Sequence, residues 1–281
     1  LAIQVGDNIA LSQSFGYSDR SLTELMPINP VIRIASVEKA ITAAVAAKRV
    51  NEGHLAADTS VFTYLGLEPV PGESPDNKVL DITLDNLLQH KSCLGSKKGV
   101  QKGAEEMSFA FGTSPDDWNQ DYMARWLYTQ PMTGEPESVD CNYSSDGHFM
   151  LRYLVEQDIK NISTKSSLMK YVRDTVDSGG MGYPDIRPAA ERLADRDPSE
   201  PSYITDANLY ARWSIYEDYL SFSATPEELA RFFKENPPTY ELSKDDEGRQ
   251  IYVERSNGWY NGANSGTTAH AIHIKEMDMS V

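Results

Sequence analysis

The sequence predicts an α+β fold in which one antiparallel sheet is built from both chain ends and a mainly helical segment is inserted between them. Three observations carry this expectation. Leu1–Val5 and Ile9–Phe15 read as two strands around Gly6-Asp7-Asn8, whose composition suits a tight turn. From about residue 60 to 213 the chain is mainly helical, with long irregular connections. Alternation returns in Gln250–Glu254 and Thr267–Ile274, which flank the glycine-rich Asn257–Gly266. Strands at both ends with helices between them place the ends in one sheet. The expected division is a sheet domain of 1–60 plus 215–281 and a helical inserted domain of 61–214.

After the opening hairpin, Val31–Ile34 is a short extended run and Ala40–Ala47 an alanine-rich helix body. A helix is therefore expected from about Val37 to Asn51, stopping near Gly53. Thr83 suits the cap of a helix through Asp85–His90, and Ser114–Asp117 opens another with proline in its first turn. His148–Glu156 is a third, strongly apolar helix. Pro69–Pro75, Asp177–Pro184 and Asp195–Pro201 are loops by composition. Thr225-Pro226-Glu227-Glu228 is a capping box with proline at the first position, leading into Leu229–Phe233.

The composition excludes several function classes. A net charge of -16 over 281 residues argues against nucleic acid or an anionic membrane as the main partner. No apolar run approaches the ~18 residues that span a bilayer. No cofactor is expected, because phosphate-binding glycine loops and dinucleotide fingerprints are absent from the sequence. The five histidines are dispersed, which disfavours a metal enzyme. His270 and His273 should point to opposite faces of a strand, and His54, His90 and His148 are expected at the surface or as caps. Cys93 and Cys141 could form one disulfide or stay as two reduced thiols; the residues leave both open. The chain starts at Leu1 with neither a methionine nor a signal-like segment, so a processed or trimmed chain is expected and its compartment stays hidden.

The chemistry concentrates at Ser36-Val37-Glu38-Lys39. Residues three apart share a helix face, so the Lys39 amine can reach the Ser36 hydroxyl. The preceding extended run and following helix put Ser36 at a helix N-terminus, where the dipole favours a developing alkoxide. Ser167-Leu168-Met169-Lys170 has the same spacing without the apolar run, and it reads as ordinary helix surface. A hydroxyl nucleophile also needs a second proton-handling group and donors for the oxyanion. Among 15 tyrosines, Tyr143 stands out because Tyr143-Ser144-Ser145 lies at a loop-to-helix junction. A packing role is the ordinary alternative for such a tyrosine.

Several blocks resemble one family in the right order. They are Pro30–Thr42, Asn51–Asp58, Ile82–Ser92, Asn142–Leu151 and Phe222–Phe233. Together they are similar to the serine β-lactamase-related family, which includes class C β-lactamases, D-alanyl-D-alanine carboxypeptidases, family VIII-type esterases and some acyltransferases. The resemblance implies a β-lactamase/transpeptidase-like fold. It implies that Ser36 is the acylated nucleophile, Lys39 its activating amine and Tyr143 the phenol that exchanges protons with the leaving group. The family's third motif falls at Tyr260-Asn261-Gly262, beside Trp259. Gly262 would leave room for a substrate backbone, and the amides of Ser36 and Ala263 would form the oxyanion hole. Ser145 stands where the family often has asparagine. An exported location rests on this resemblance alone.

Two departures shape the expected function. Tyr260 replaces a lysine or histidine, so a substrate carboxylate loses its charged partner unless Arg255 or another base supplies it. An uncharged ester then becomes the favoured substrate, with Trp118, Trp126, Trp213 and Trp259 as possible aromatic walls. Family members also carry terminal elements that cover the sheet, whereas this sequence runs from the hairpin to Val281. A sheet left uncovered would invite a partner or an oligomer. The expectation is a carboxylesterase acting through an acyl-enzyme on a small ester or amide. The alternatives are acyl transfer, β-lactam or D-amino peptide hydrolysis at the same site, and a catalytically silent binding relative.

Overall fold

A computed structural model describes residues 1–95, 109–112, 119–162, 172, 186–188, 199, 222–255, 257–264 and 267–281. The helix expected at Ser114–Asp117, Trp118, Trp213, Ser167–Lys170 and the loop Asp177–Pro184 lie outside the described residues, as does Asp195–Pro201 apart from Ser199.

The chain opens with β1 (Ala2–Val5) and β2 (Asn8–Ser12), joined through Gly6 at φ +55°. β3 (Ile32–Arg33) leads into a 3₁₀ turn at Ala35–Val37, and α1 runs over Glu38–Asn51. Gly53, at φ +78°, ends that helix where composition placed the stop, and His54 N–H donates to Arg49 O at 3.0 Å. α2 covers Val61–Leu65 and α3 covers Leu84–Leu88. Thr83 caps α3 in a reciprocal box with Asn86. α4 (Gln120–Thr129) starts at the cap Asn119, and α5 (Ser145–Ile162) starts where Ser144 Oγ accepts from Gly147 N–H at 2.9 Å. β4 (Arg187–Pro188) and β5 (Phe222–Ala224) precede α6 (Pro226–Glu235), capped by Thr225 with proline in its first turn as expected. β6 (Tyr240–Lys244), β7 (Gln250–Glu254), β8 (Asn257–Asn264), β9 (Thr267–Ile274) and β10 (Met279–Ser280) complete the chain.

The main sheet has the order β2-β1-β10-β9-β8, with every pairing antiparallel. Both chain ends thus meet in one sheet, and the α+β expectation holds. The strand at Gln250–Glu254 does not join it. That strand pairs with β6, because Gly248 at φ +81° and the bonds of the Asp245 carboxylate to the amides of Glu247 and Arg249 reverse the chain there. A third sheet has the order β3-β5-β4.

Two compact units divide the chain. One comprises 1–47, 167–241 and 253–281, the other 48–166 and 242–252. In the first, α6 packs on β1, β9 and β10 through its buried Leu229, Ala230, Phe232 and Phe233. The sheet residues facing inward include Ala2, Gln4, Ala269, Ala271 and His273, all buried. His270 is exposed, so the two β9 histidines do point to opposite faces. The outward row runs through Leu11, Ile3, Val281 just past the end of β10, Ile272 and Trp259. In the second unit, Arg49 Nε donates to Asp158 Oδ2 at 2.7 Å, and Asn51 exchanges two bonds with the backbone of Tyr252. His148 is 2% exposed, which corrects its expected surface position: the apolar face of α5 carries it into the interior. Among the described residues no helix is long and apolar enough to cross a membrane.

Candidate active site

In the first unit the local sequence decides how Ser36 is presented. β3 is held by pairing of Ile32 with Ala224 and Arg33 with Ser223, and Ile34 N–H continues the ladder to Phe222 O at 3.0 Å. The buried Ala35 then turns the chain at φ +46°, a left-handed conformation that costs an L-residue energy and persists only where its surroundings hold it. Ser36 follows in the 3₁₀ turn, two residues before the start of α1. Lys39 sits on the same side, and its Nζ donates to Ser36 Oγ at 3.3 Å. The i to i+3 geometry read from spacing is therefore present.

Lys39 is only 6% exposed and Glu38 is fully buried. Lys39 Nζ also donates to Glu38 Oε1 at 3.2 Å. This carboxylate was missed in the sequence, because adjacent helical residues do not ordinarily face each other. The only sequence signal was an acidic residue inside a motif flanked by apolar positions.

β8 supplies the opposite wall of this part of the site. It packs against the 3₁₀ turn so closely that a Cβ on Gly262 would stand 2.5 Å from Ile34 O, 2.7 Å from Ser36 N and 2.9 Å from Val37 N. Real side chains do not tolerate such approaches to backbone, so only glycine fits. Strand alternation puts Tyr260 on the same face as Gly262, and Trp259, Asn261 and Ala263 on the other. Asn261 there bonds across the strand pair to His270, Oδ1 to Nδ1 at 2.6 Å, and Trp259 is 64% exposed. Trp126, another proposed aromatic wall, is buried in α4.

Tyr143 and Ser145 belong to the second unit. Tyr143 lies in the irregular segment before α5 and is about half exposed; Ser145 is exposed in the first turn of that helix. The Tyr143 ring rests against His90, with centroids 4.6 Å apart. Sequence alone did not connect His90 to Tyr143, since more than fifty residues separate them. Cys93 and Cys141 form a disulfide, resolving the alternative left open above. An open cleft of about 430 Å³ is lined by Cys93, Leu94, Gly95, Tyr143, Ser145 and Asp146, among others. Of the residues singled out in advance, Ser36, Lys39, Tyr260 and Gly262 gather in the first unit, while Tyr143 and Ser145 line this cleft in the second.

Comparison with known proteins agrees with this fold. A penicillin-binding protein from Bacillus halodurans superposes with a TM-score of 0.64 at 17% identity, over 99% of this chain and 89% of that one. A beta-lactamase from Sulfitobacter sp. EE-36 gives 0.63 at 14% identity, over 99% and 84%. The D-alanine carboxypeptidase AmpC from Burkholderia cenocepacia gives 0.63 at 12% identity, over 99% and 85%. At these identities the likeness is one of fold. The beta-lactamase family model matches residues 1–271, nearly the whole chain, and this protein therefore belongs to the beta-lactamase family.

Proposed function

We propose that this protein is a serine hydrolase that forms an acyl-enzyme on Ser36 and acts on an uncharged carboxylic ester. The observation that carries the proposal is the buried Lys39 amine 3.3 Å from Ser36 Oγ, in a turn roofed by Gly262. In this reading Ser36 Oγ attacks the ester carbonyl carbon while the Lys39 amine serves as the acceptor of its proton. Glu38 orients the amine. The amides of Ser36 and Ala263 hold the oxyanion, Tyr143 passes a proton to the departing alkoxide, and water then releases the acid. Ser145, Tyr260, Asn261 and Trp259 remain proposed contacts of the substrate. Of these, Tyr260 shares the face of Gly262, whereas Trp259 and Asn261 would have to act from the strand's other side.

Tyr260 is the reason to prefer an ester over the substrates named for the structural relatives. A phenol offers no positive charge to a β-lactam or peptide carboxylate, and a charge-assisted bond is about twice as strong as a neutral one. The test is a burst of alcohol release from an activated aryl ester, absent in Ser36→Ala and Lys39→Ala. Unchanged turnover in both variants sinks the proposal. Added alcohols or amines, followed by product analysis, separate hydrolysis from acyl transfer.

A second reading, a catalytically silent binding relative, draws on the same Tyr260. Mass spectrometry after exposure to a fluorophosphonate, a β-lactam and an aryl ester decides between them. No adduct on Ser36 with any of the three favours the silent relative.

A further inference from the structure

Within the second unit, the segment carrying Tyr143 is fastened repeatedly to one short stretch, His90–Gly95. Thr133 donates from both its amide and its hydroxyl to Cys93 O, at 3.1 and 2.7 Å. Glu137 N–H donates to Lys91 O at 2.8 Å. The Cys93–Cys141 disulfide follows, and then Ser144 Oγ donates to Leu94 O at 2.6 Å, with Ser144 N–H directed at His90 Nδ1 at 3.5 Å. Tyr143 stands between the disulfide at Cys141 and the ties made by Ser144, with its ring on His90. Ser144 has a double duty, because the same oxygen caps α5.

The backbone of this region is also strained. His90, Cys93 and Glu137 take φ of +57°, +50° and +66°, in the left-handed region that L-residues avoid. Such conformations persist only where the surroundings over-determine them. Packing leaves little slack: a Cβ on Gly134 would stand 3.0 Å from Cys93 Sγ, and one on Gly147 would stand 2.9 Å from Ser92 Oγ. The disulfide is the one covalent tie in this set, and it lies two residues from Tyr143.

We propose that the Cys93–Cys141 disulfide is the positioning element for Tyr143, so that reduction lowers turnover without dismantling the rest of the site. This rests on the hydrolase reading above for its consequence, while the clamp itself does not. The redox step needs a dithiol. Its two thiols give up two electrons and two protons and close into their own disulfide, while Cys93 and Cys141 become free thiols. Ser36, Lys39 and Gly262 are untouched by this exchange. The loss should therefore fall on proton transfer, read as kcat, with KM for a neutral aryl ester held within about 2-fold.

Two measurements test the proposal on the whole chain treated with dithiothreitol, with thiol titration showing that the disulfide has opened. Hydrogen exchange read by mass spectrometry needs no substrate. Exchange over 133–144 should accelerate at least 10-fold while the helix at 38–51 keeps its protection; unchanged exchange over 133–144 overturns the clamp. Kinetics then test the consequence. Reduction should lower kcat of the wild type about 10-fold, restored by reoxidation, and change Tyr143→Phe less than 2-fold. An equal loss in both proteins marks a merely structural bond and overturns the positioning role. Global unfolding of the reduced protein would overturn the claim that reduction spares the rest of the site, and Thr133→Val, which keeps the disulfide, then tests the positioning of Tyr143 by itself. That substitution should lower kcat at least 3-fold in the Tyr143 protein and not in Tyr143→Phe, and equal losses overturn the proposal. Failure of the hydrolase reading looks different: Ser36→Ala retains turnover, while the exchange result stands.

Discussion

Gly262 lies against Ser36 with no room for a side chain: a Cβ at 262 would stand 2.7 Å from Ser36 N and 2.5 Å from Ile34 O. The glycine thus sets how closely β8 approaches the turn that carries the proposed nucleophile, and the neighbours it would strike are backbone, which cannot swing aside. Gly262→Ala is expected to abolish the ester burst, with a loss of at least about 100-fold, as for removal of an oxyanion donor. It should also destabilise the fold by about 1–3 kcal/mol through overpacking. Stopped-flow acylation and thermal unfolding check both parts. A variant with a normal burst would show that β8 does not form the proposed oxyanion wall.

Tyr260 shares the inward-facing side of β8 with Gly262. Tyr260→Lys restores a positive charge and is expected to raise kcat/KM for carboxylate-bearing substrates at least 10-fold relative to neutral esters, the value of one charge-assisted hydrogen bond. Paired assays with a neutral aryl ester and its carboxylated analogue measure the ratio. No change in the ratio removes Tyr260 from the explanation of specificity.

Arg49 and Asp158 are both nearly buried, and their 2.7 Å bond ties the end of α1 to α5 inside the second unit. Tyr64 OH also donates to Asp158, at 3.2 Å. Asp158→Ala leaves a buried guanidinium without this carboxylate, and a loss of about 3–5 kcal/mol is expected. Urea unfolding gives the value. A loss below ~1 kcal/mol would mean that the pair contributes specificity rather than stability.

His273 is held below the ordinary imidazole value of 6.5, chiefly because burial penalises its charged form, with Glu254 and Asp278 opposing. The folded protein therefore binds this proton less readily than the unfolded chain. Its contribution to stability is present in full above about pH 6.5 and is lost as the pH falls from there through the folded-state value. In His273→Asn, which can still reach Ser280, the unfolding midpoint should fall less between pH 7 and pH 5 than in the wild type. Parallel pH profiles for the two proteins would exclude His273 as a source of acid sensitivity.

Much of the fold was legible because its signals are local. The Gly6-Asp7-Asn8 turn, the Ala40–Ala47 helix body, the Thr83 and Thr225 caps and the stop at Gly53 each depend on residues within a few positions of one another. The strand at Gln250–Glu254 was recognisable as a strand, but its partner was not. Alternation specifies a face and says nothing of which edge a strand will meet.

The sequence by itself determined that Ser36 and Lys39 share a helical face, because three residues of helix fix that geometry whatever surrounds it. It also determined that both chain ends are strands. Tertiary structure alone decided the rest: the burial of the Glu38 carboxylate with the lysine, the pressing of Gly262 onto Ser36, and the pairing of Cys93 with Cys141 beside Tyr143. Each of these depends on register or on burial among segments tens to hundreds of residues apart. No local pattern encodes such relations, because the free energy that selects them comes from packing the whole unit.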